Sequence, residues 1–481
     1  MPATVQAISE PLLQQVSERI ECLTGLQFPR GRFGDLERGL AQAGRGRGCD
    51  DVCAYAESLL VRDLCEADLE ALAGSLTIGE THFFRDPRTF AFLESALLPP
   101  LLAARRGGDK RLRIWSAGCA TGEEPYSMAI LLHRLIPDPD EWRITILGTD
   151  INPKFLARAD AGVYSEWSFR DTPDWVKPRY FEACSDNRYE IHPWLKRMVS
   201  FAYLNLVDDV YPSVLNGTNA MDLIVCRNVL LYFAPARIPQ VVQRFHRALL
   251  EGGHLVMGAV EASQITFTGF THVPAPGVAL YRKGSTQAAQ GIAGVDSRTM
   301  SGGLADGPFV VTAPAAASLA SSIPVPAPPP PLVGAGRSRD DDAQAAGLLA
   351  HRHANLGELA EALVWCERAL ALAKTDSALH FLRAGILQEL QRPNEALLAL
   401  RNVLFLDPGH VLAHFTMANL YRRQDQPPAA EKHLANVRRL LASRDKNEEL
   451  PQSGGLTVGR LNGILDATKG RAPEKEGVSH E

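Results

Sequence analysis

Apolar positions over residues 1 to about 77 recur at helical spacing. Leu12, Leu13, Val16 and Ile20 form one stripe, and Leu59, Leu60 and Leu64 run on to Leu69, Leu72 and Leu76. The period then changes. Short apolar runs at Leu112–Trp115, Ile144–Gly148, Val199–Leu204, Leu223–Cys226 and His254–Gly258 alternate with helical stretches at Pro125–Leu135, Pro153–Ala161 and Ile238–Leu250. Asn152 is placed to cap the second of these, with Pro153 in its first turn. Gly252 and Gly253 read as the stop signal of the third. Phe270 and Val278–Tyr281 are expected to close the sheet as a pair. Such alternation predicts an α/β fold with a mainly parallel sheet covered by helices on both faces. Phe90–Leu102 reads as a connecting helix closed by Pro99 and Pro100. Residues 162–198 break the alternation and are rich in aromatics and charge, which predicts a small antiparallel insert.

Beyond 284 the pattern is lost in Ala, Gly, Ser and Pro, ending in Pro328–Pro331, as expected of a linker. A helical pattern then repeats. Residues 343–376, 377–410 and 411–444 are three units of 34 residues, with alanine at position 8 (Ala350, Ala384, Ala418) and position 20 (Ala362, Ala396, Ala430). Small residues at those places let two helices of a unit approach closely, and the pattern resembles the tetratricopeptide repeat. The usual Trp and Gly are absent. The tail from 445 is charged and expected to be disordered.

Composition narrows the picture. A net charge of −5 over 481 residues argues against general attraction to nucleic acid or anionic lipid. Of the eight cysteines, Cys49 and Cys53 are four apart but no second pair matches them, so free thiols in a reducing cytoplasm are expected and no metal site is. No apolar run is long enough to span a membrane, and no signal peptide is evident. Arg30, Arg32, Arg38, Arg45 and Arg47 form either a solvated surface or a docking face for an acidic partner.

The chemistry concentrates in Arg111–Ser127, RLRIWSAGCATGEEPYS, which reads as strand, small-residue turn and helix. That is how doubly wound folds build a nucleotide-sized site. Glu123 and Glu124 nevertheless stand at the helix start, where a phosphate would want positive potential. The turn also lacks the full glycine pattern of a dinucleotide binder, since only Gly118 and Gly122 are present. An adenosine carrying a cation and no phosphate fits better. Asp150, ending the second strand, suits ribose hydroxyls. Asn205, Arg227, Asn228 and Tyr232, at the ends of later strands, should border the same crevice. Arg85, after Phe83 and Phe84, is expected to point into it and can hold a carboxylate.

Together ETHFFRDP, RIWSAGCATGEEPYS, GTDIN, YLNL and CRNVLLYF resemble the CheR-type chemoreceptor glutamate methyltransferases, over about residues 1–283. The linker and repeats resemble the subset with C-terminal tetratricopeptide repeats, as in Wsp-type and Frz-type systems. The resemblance implies a helical N-terminal domain (1–84) and a Rossmann-like S-adenosylmethionine-dependent domain (85–283) with its β insert. A linker (284–342), a repeat solenoid (343–444) and a disordered tail (445–481) would follow. It implies a cytoplasmic enzyme that esterifies receptor glutamates and releases S-adenosylhomocysteine. Its partners would be a receptor's cytoplasmic domain and a further protein on the repeats. By the same resemblance Arg85 and Tyr232 are catalytic. Thr81, Arg85, Gly118, Glu124, Asp150, Asn205, Leu206, Arg227 and Asn228 hold the cofactor, with Glu124 on its amino group, Asp150 on the ribose, and Asn205 and Leu206 around the adenine. Two departures stand out: Gly79 where many members have Asn, and Ala183 where some have Arg. The latter leaves Arg170 or Arg188 to hold an acidic substrate.

Overall fold

In the computed structural model, residues 8–284 and 339–465 are described, apart from positions 109, 264, 447, 454, 455, 460, 463 and 464. Four helices come first: α1 (Glu10–Thr24), α2 (Phe33–Gly46), α3 (Val52–Val61) and α4 (Glu66–Leu76). Their apolar stripes meet in one core, where Val16, Ile20, Leu36, Leu40, Leu59 and Leu72 are almost fully buried. Asp68 of α4, also fully buried, is held by Arg47 (2.9 Å) and Arg62 (2.5 Å), whose guanidinium groups keep its carboxyl well below the usual range.

The connecting segment differs from expectation. Helix α5 (Pro87–Phe92) runs through one wider π turn, Leu93–Leu97, into α6 (Leu98–Arg106). Pro99 and Pro100 therefore open α6 instead of closing a helix, since the first turn has no intrahelical use for their missing N–H groups.

The sheet elements follow in order: β1 (Arg111–Ala117), α7 (Glu123–Leu135), β2 (Arg143–Asp150) and α8 (Pro153–Ala161). The insert comprises β3 (Val163–Ser165), α9 (Val176–Tyr180), β4 (Phe181–Ala183), β5 (Arg188–Ile191) and α10 (Pro193–Lys196). Then come β6 (Val199–Tyr203), β7 (Met221–Cys226), α11 (Ile238–Ala248), β8 (Leu249–Met257), α12 (Ala259–Ala262), β9 (Phe270–Val273) and β10 (Ala279–Lys283). Seven strands join in the order β6-β2-β1-β7-β8-β10-β9, and β3-β5-β4 form a separate antiparallel sheet. The pairs β6/β2, β2/β1, β1/β7 and β7/β8 are parallel; β8/β10 and β10/β9 are antiparallel. The chain moves from β1 outward to β6 and then crosses back to β7, so the strand order reverses beside β1. A ligand crevice belongs at the carboxyl ends there.

One boundary is corrected. Helix α11 stops at Ala248, and Gly252 and Gly253 lie inside β8, where the register against β7 shifts. Gly252 has φ +76, so the glycines serve an irregular strand and not a helix end.

After residue 338 the helices pair: α13 (Arg339–Asn355) with α14 (Leu359–Leu372), α15 (Ser377–Glu389) with α16 (Pro393–Leu406), and α17 (Val411–Arg423) with α18 (Pro427–Leu441). All six repeat alanines are buried, none more than 2% exposed, at the helix–helix contacts where a larger side chain would not fit. The linker expectation falls mostly on residues outside those described, and its last four positions belong to α13. The expectation of a disordered tail is corrected up to 465: Leu450, Val458, Leu461 and Leu465 are buried against the repeats. Among the described residues no helix is long and apolar enough to cross a membrane.

Candidate functional site

The turn after β1 is built by its own amides. The N–H groups of Gly118 and Cys119 both donate to the Thr149 carbonyl (2.8 and 2.9 Å), and that of Ala120 donates to Asp150 Oδ2 (2.9 Å). Gly118 takes φ +80, and a Cβ there would lie 2.3 Å from Val229 Cγ2, so glycine is required twice over. With these donors engaged inside the protein, the turn offers no nest for a phosphate.

Helix α7 begins where the turn ends, and its first two residues diverge by about 100° around the axis. Glu123 turns inward, 1% exposed, and accepts from the Thr121 hydroxyl (2.6 Å). Glu124 lines the cleft instead. It accepts from Ser116 Oγ (2.8 Å) and faces Arg227 Nη1 at 3.3 Å. Burial pushes its carboxyl up, and Arg227, Ser116 and Arg85 pull it back.

Asp150 lies across the same space. It accepts from the N–H groups of Ala120 and Asn152 (each 2.9 Å), yet burial dominates and raises its carboxyl to about 6. Asn152 caps α8 through Lys154 N–H (3.0 Å), leaving Asp150 free of that duty. Asn152 Nδ2 also donates to Thr77 Oγ1 (2.9 Å), tying the strand end to the helical domain.

Arg227, after β7, is a buried bridge. Its Nη2 donates to the Arg85 carbonyl (2.9 Å) and approaches Asp86 Oδ2 (3.4 Å). Asn228 takes φ +59, held by Glu261 accepting from the N–H groups of Asn228 (2.9 Å) and Val229 (3.1 Å). Arg85 itself donates to the Glu80 carbonyl. Asn205 Nδ2 reaches back to the Leu23 carbonyl (2.8 Å) and Asp208 (3.0 Å).

These elements enclose one cleft of about 1100 Å³, counted out to open solvent. Thr81, Arg85, Gly118, Glu124, Asp150, Asn205, Leu206, Arg227, Asn228 and Tyr232 all line it. The donor set fits S-adenosylmethionine: two carboxylates, an amide beside apolar Leu206, and no free phosphate nest. Sequence reasoning missed the helical domain's share, since Leu26, Phe28 and Arg32 also form the wall. Arg32 stands 5.2 Å from the Phe28 ring and 5.7 Å from that of Tyr232. Nothing in the periodicity marked it out from its arginine neighbours, and pairing does not either: Arg32 pairs with Asp35 (3.1 Å), as do Arg30 with Glu10, Arg38 with Asp35 and Arg47 with Asp68. His82, adjacent to Thr81, was missed as well; it lines the cleft, and burial holds it below the usual histidine range.

The departures from the family pattern gain reasons. A Cβ on Gly79 would lie 2.5 Å from the Phe155 ring, so glycine makes room for that ring at the cleft wall. Ala183 is exposed on β4. Of the two arginines suggested in its place, Arg188 is exposed on β5, whereas Arg170 donates to the Thr81 carbonyl (3.4 Å) and pairs with Glu80 at the cleft mouth. Among the described residues no group of three or more His, Cys, Asp or Glu is placed to hold a metal ion.

Residues 79–276 match the family model described as CheR methyltransferase, SAM binding domain. The probable biofilm formation methyltransferase WspC of Pseudomonas aeruginosa is 31% identical over 355 residues, covering 72% of this chain and 81% of that protein. A probable chemotaxis protein methyltransferase of Rhizobium etli is 36% identical over 189 residues, or 39% and 68% of the two chains. An uncharacterized 104.1 kDa protein of Rhodobacter capsulatus is 35% identical over 230 residues, 48% of this chain but only 23% of the relative. Among solved structures, the crystal structure of MamA is 17% identical over 21% of this chain and 59% of that one, with a TM-score of 0.21. The cleft's donor set and the match along it agree: the chain belongs to the CheR family of S-adenosylmethionine-dependent methyltransferases.

Proposed function

We propose that this protein methylates glutamate side chains on the cytoplasmic domain of a chemoreceptor, giving γ-glutamyl methyl esters, and that its repeats bind a protein partner. The observation that carries the reading is the convergence of all ten expected residues on one cleft with one buried and one half-buried carboxylate and an internally satisfied amide turn. When bound, S-adenosylmethionine supplies a sulfonium methyl that a carboxylate can take directly. Glu124 receives the cofactor's ammonium, Asp150 accepts from both ribose hydroxyls, and Asn205 and Leu206 flank the adenine. Gly118 lets the backbone approach. Arg227 and Asn228 fix the floor, and Thr81 with Arg85 borders the reacting end.

The substrate glutamate is ionised at neutral pH, so this chain needs no general base. Its tasks are alignment and exclusion of water. Arg85, anchored by the Glu80 carbonyl, and Tyr232 orient the incoming carboxylate from two sides. The product carries no charge, which weakens its hold on Arg85 and favours release.

The test uses the full chain, methyl-labelled S-adenosylmethionine and a receptor cytoplasmic fragment. Label on the receptor that alkali removes is the expected result. Cofactor binding without transfer would contradict the proposal and leave a cofactor-sensing adaptor.

A further inference from the structure

A second cavity, of about 2110 Å³ counted out to open solvent, lies between the sheet and the repeats. One wall is the edge of the sheet: β6 is its last strand, pairs with β2 alone, and residues 200–205 run along the cavity. An edge strand leaves a row of N–H and C=O groups without ladder partners. The facing wall is built by the first helices of two successive repeats. On α15, Phe381, Gly385 and Gln388 stand at i, i+4 and i+7; on α17, Leu412, Thr416 and Asn419 do the same, so each helix turns one face to the cavity. The lining recurs with the 34-residue unit: Phe381 and Phe415 both hold position 5, and Gly385 and Asn419 position 9. The walls are tied together. Glu389 pairs with Arg111 and Arg113, and a Cβ on Gly385 would lie 3.2 Å from Leu215 Cδ2, so the repeat backbone packs close on the loop after β6. Three arginines and two acids line the space, and both acids are engaged: Glu389 by Arg111 and Arg113, Asp208 by Asn205 Nδ2 (3.0 Å). The Arg143 guanidinium, at the exposed start of β2, has no partner among the described residues. Neither have the Thr416 hydroxyl and the Asn419 amide on the opposite wall.

We infer that this groove binds an extended, acidic peptide segment of a partner protein, laid along β6 with a carboxylate on Arg143. The inference rests on the protein partner proposed for the repeats and gives it a site and a chemistry; it involves neither the methyl acceptor nor the insert. Charge selects an acid, because the surplus cation of the groove is the one left unpaired. The open edge selects an extended chain. Main-chain bonds to a sheet edge supply affinity, and pockets for alternate side chains supply selection. Phe381 and Phe415 give the apolar contacts, and Thr416 and Asn419 offer a hydroxyl and an amide to the peptide groups. A helix would satisfy its own backbone and leave the β6 edge unpaired. The edge that borders the groove is about 20 Å long at about 3.3 Å per residue, which suits a peptide of roughly seven residues.

The test measures the binding of synthetic heptapeptides to the full chain by fluorescence anisotropy. The peptides share an alternating valine–threonine frame and differ at the central residue, which is glutamate, glutamine or lysine. The glutamate peptide should bind about tenfold more tightly than the lysine one, as expected of a charge-assisted contact. Arg143→Gln should remove that preference, and Asn419→Ala should weaken all three peptides alike. Affinity for S-adenosylhomocysteine by calorimetry, and KM for a receptor fragment, should stay within about twofold in both variants, since neither residue lines the cofactor cleft. A glutamate peptide that binds no better than the lysine one, or whose preference survives Arg143→Gln, overturns the groove and leaves the proposed partner on another face of the repeats. A parallel fall in S-adenosylhomocysteine affinity also overturns it, because the substitution then acts through the fold. Tighter binding by a synthetic peptide of residues 466–481 overturns it in favour of the chain's own tail. Sedimentation in which the glutamate peptide dissociates a dimer overturns it in favour of a second copy. A wild type that binds the glutamate peptide as expected but transfers no methyl group leaves the groove standing and removes the proposed methyl transfer.

Discussion

Asp150 and Glu124 are held differently, and the difference is measurable. Burial raises Asp150 from 3.8 to about 6 despite its N–H partners. Its ionised form is therefore disfavoured in the folded chain: the stabilising contribution is full below 3.8 and is lost as pH rises through about 6. The ribose contact proposed for Asp150 needs the opposite, ionised form. S-adenosylhomocysteine affinity should accordingly weaken about tenfold one pH unit below that midpoint, and Asp150→Asn should bind weakly with a flat profile, by calorimetry across pH. The proposed roles also divide the cleft. Arg85→Ala should lose methyl transfer while keeping most cofactor affinity, and Asp150→Ala should lose the affinity; equal losses of binding in the two would defeat the division. The roles of Glu123 and Glu124 were not separable from their adjacency. One helical step sends one carboxylate to Thr121 in the interior and the other to the cleft, and which goes where depends on α7's rotation against β1. Arg32 was likewise invisible as a cleft residue, because what distinguishes it is the packing of Phe28 and Tyr232 beneath it.

Among the elements, the segment 78–86 depends on the insert. Phe83 is fully buried among Tyr164, Phe169 and Phe181, with ring centroids 4.9 to 5.1 Å away. Its N–H donates to the Ser168 carbonyl (2.9 Å), and Thr172 Oγ1 donates to the Phe83 carbonyl (3.0 Å). The insert thus clamps the segment that carries Thr81 and Arg85. Phe83→Ala should cost about 3–5 kcal/mol in chemical denaturation, and kcat should fall more than cofactor affinity, because Glu124 and Asp150 lie outside the clamp. Element types were legible wherever the apolar pattern was clear, as in α1, α7 and the strands β1, β2, β6 and β7; the short strands β3, β4 and β5 were legible only together, as an antiparallel insert. Boundaries failed where proline and glycine act in two ways. Pro99 and Pro100 start α6, and Gly252 and Gly253 bend β8; in both cases the neighbouring strand or turn decides.

Across the whole molecule, the repeats pack on the methyltransferase sheet. Glu389 at the end of α15 pairs with Arg111 (2.9 Å) and Arg113 of β1. Asn219 Nδ2 donates to the Ala354 carbonyl (2.9 Å), and Val214 N–H to Asn355 Oδ1 (3.0 Å). Arg113 is 2% exposed, and burial pulls its guanidinium down against the support of Glu389. Glu389→Ala would leave that buried cation only the neutral acceptors Gly217 O and Asn219 Oδ1 as hydrogen-bond partners, at a cost of about 3 kcal/mol read as an earlier denaturation midpoint. The 34-residue period made the repeats legible, since each alanine pair marks a helix contact. Their docking on β1 was not, because no local pattern links Arg113 to a glutamate 276 positions on.

In the proposed reaction the acceptor atom is a glutamate carboxylate oxygen. Tandem mass spectrometry of a receptor cytoplasmic fragment, after incubation with the full chain and S-adenosylmethionine, reads that atom directly. One added methyl per modified glutamate side chain is expected, lost on mild alkali and absent with Arg85→Ala. An alkali-stable methyl on lysine, arginine or a backbone nitrogen, or no added mass at all, would contradict it.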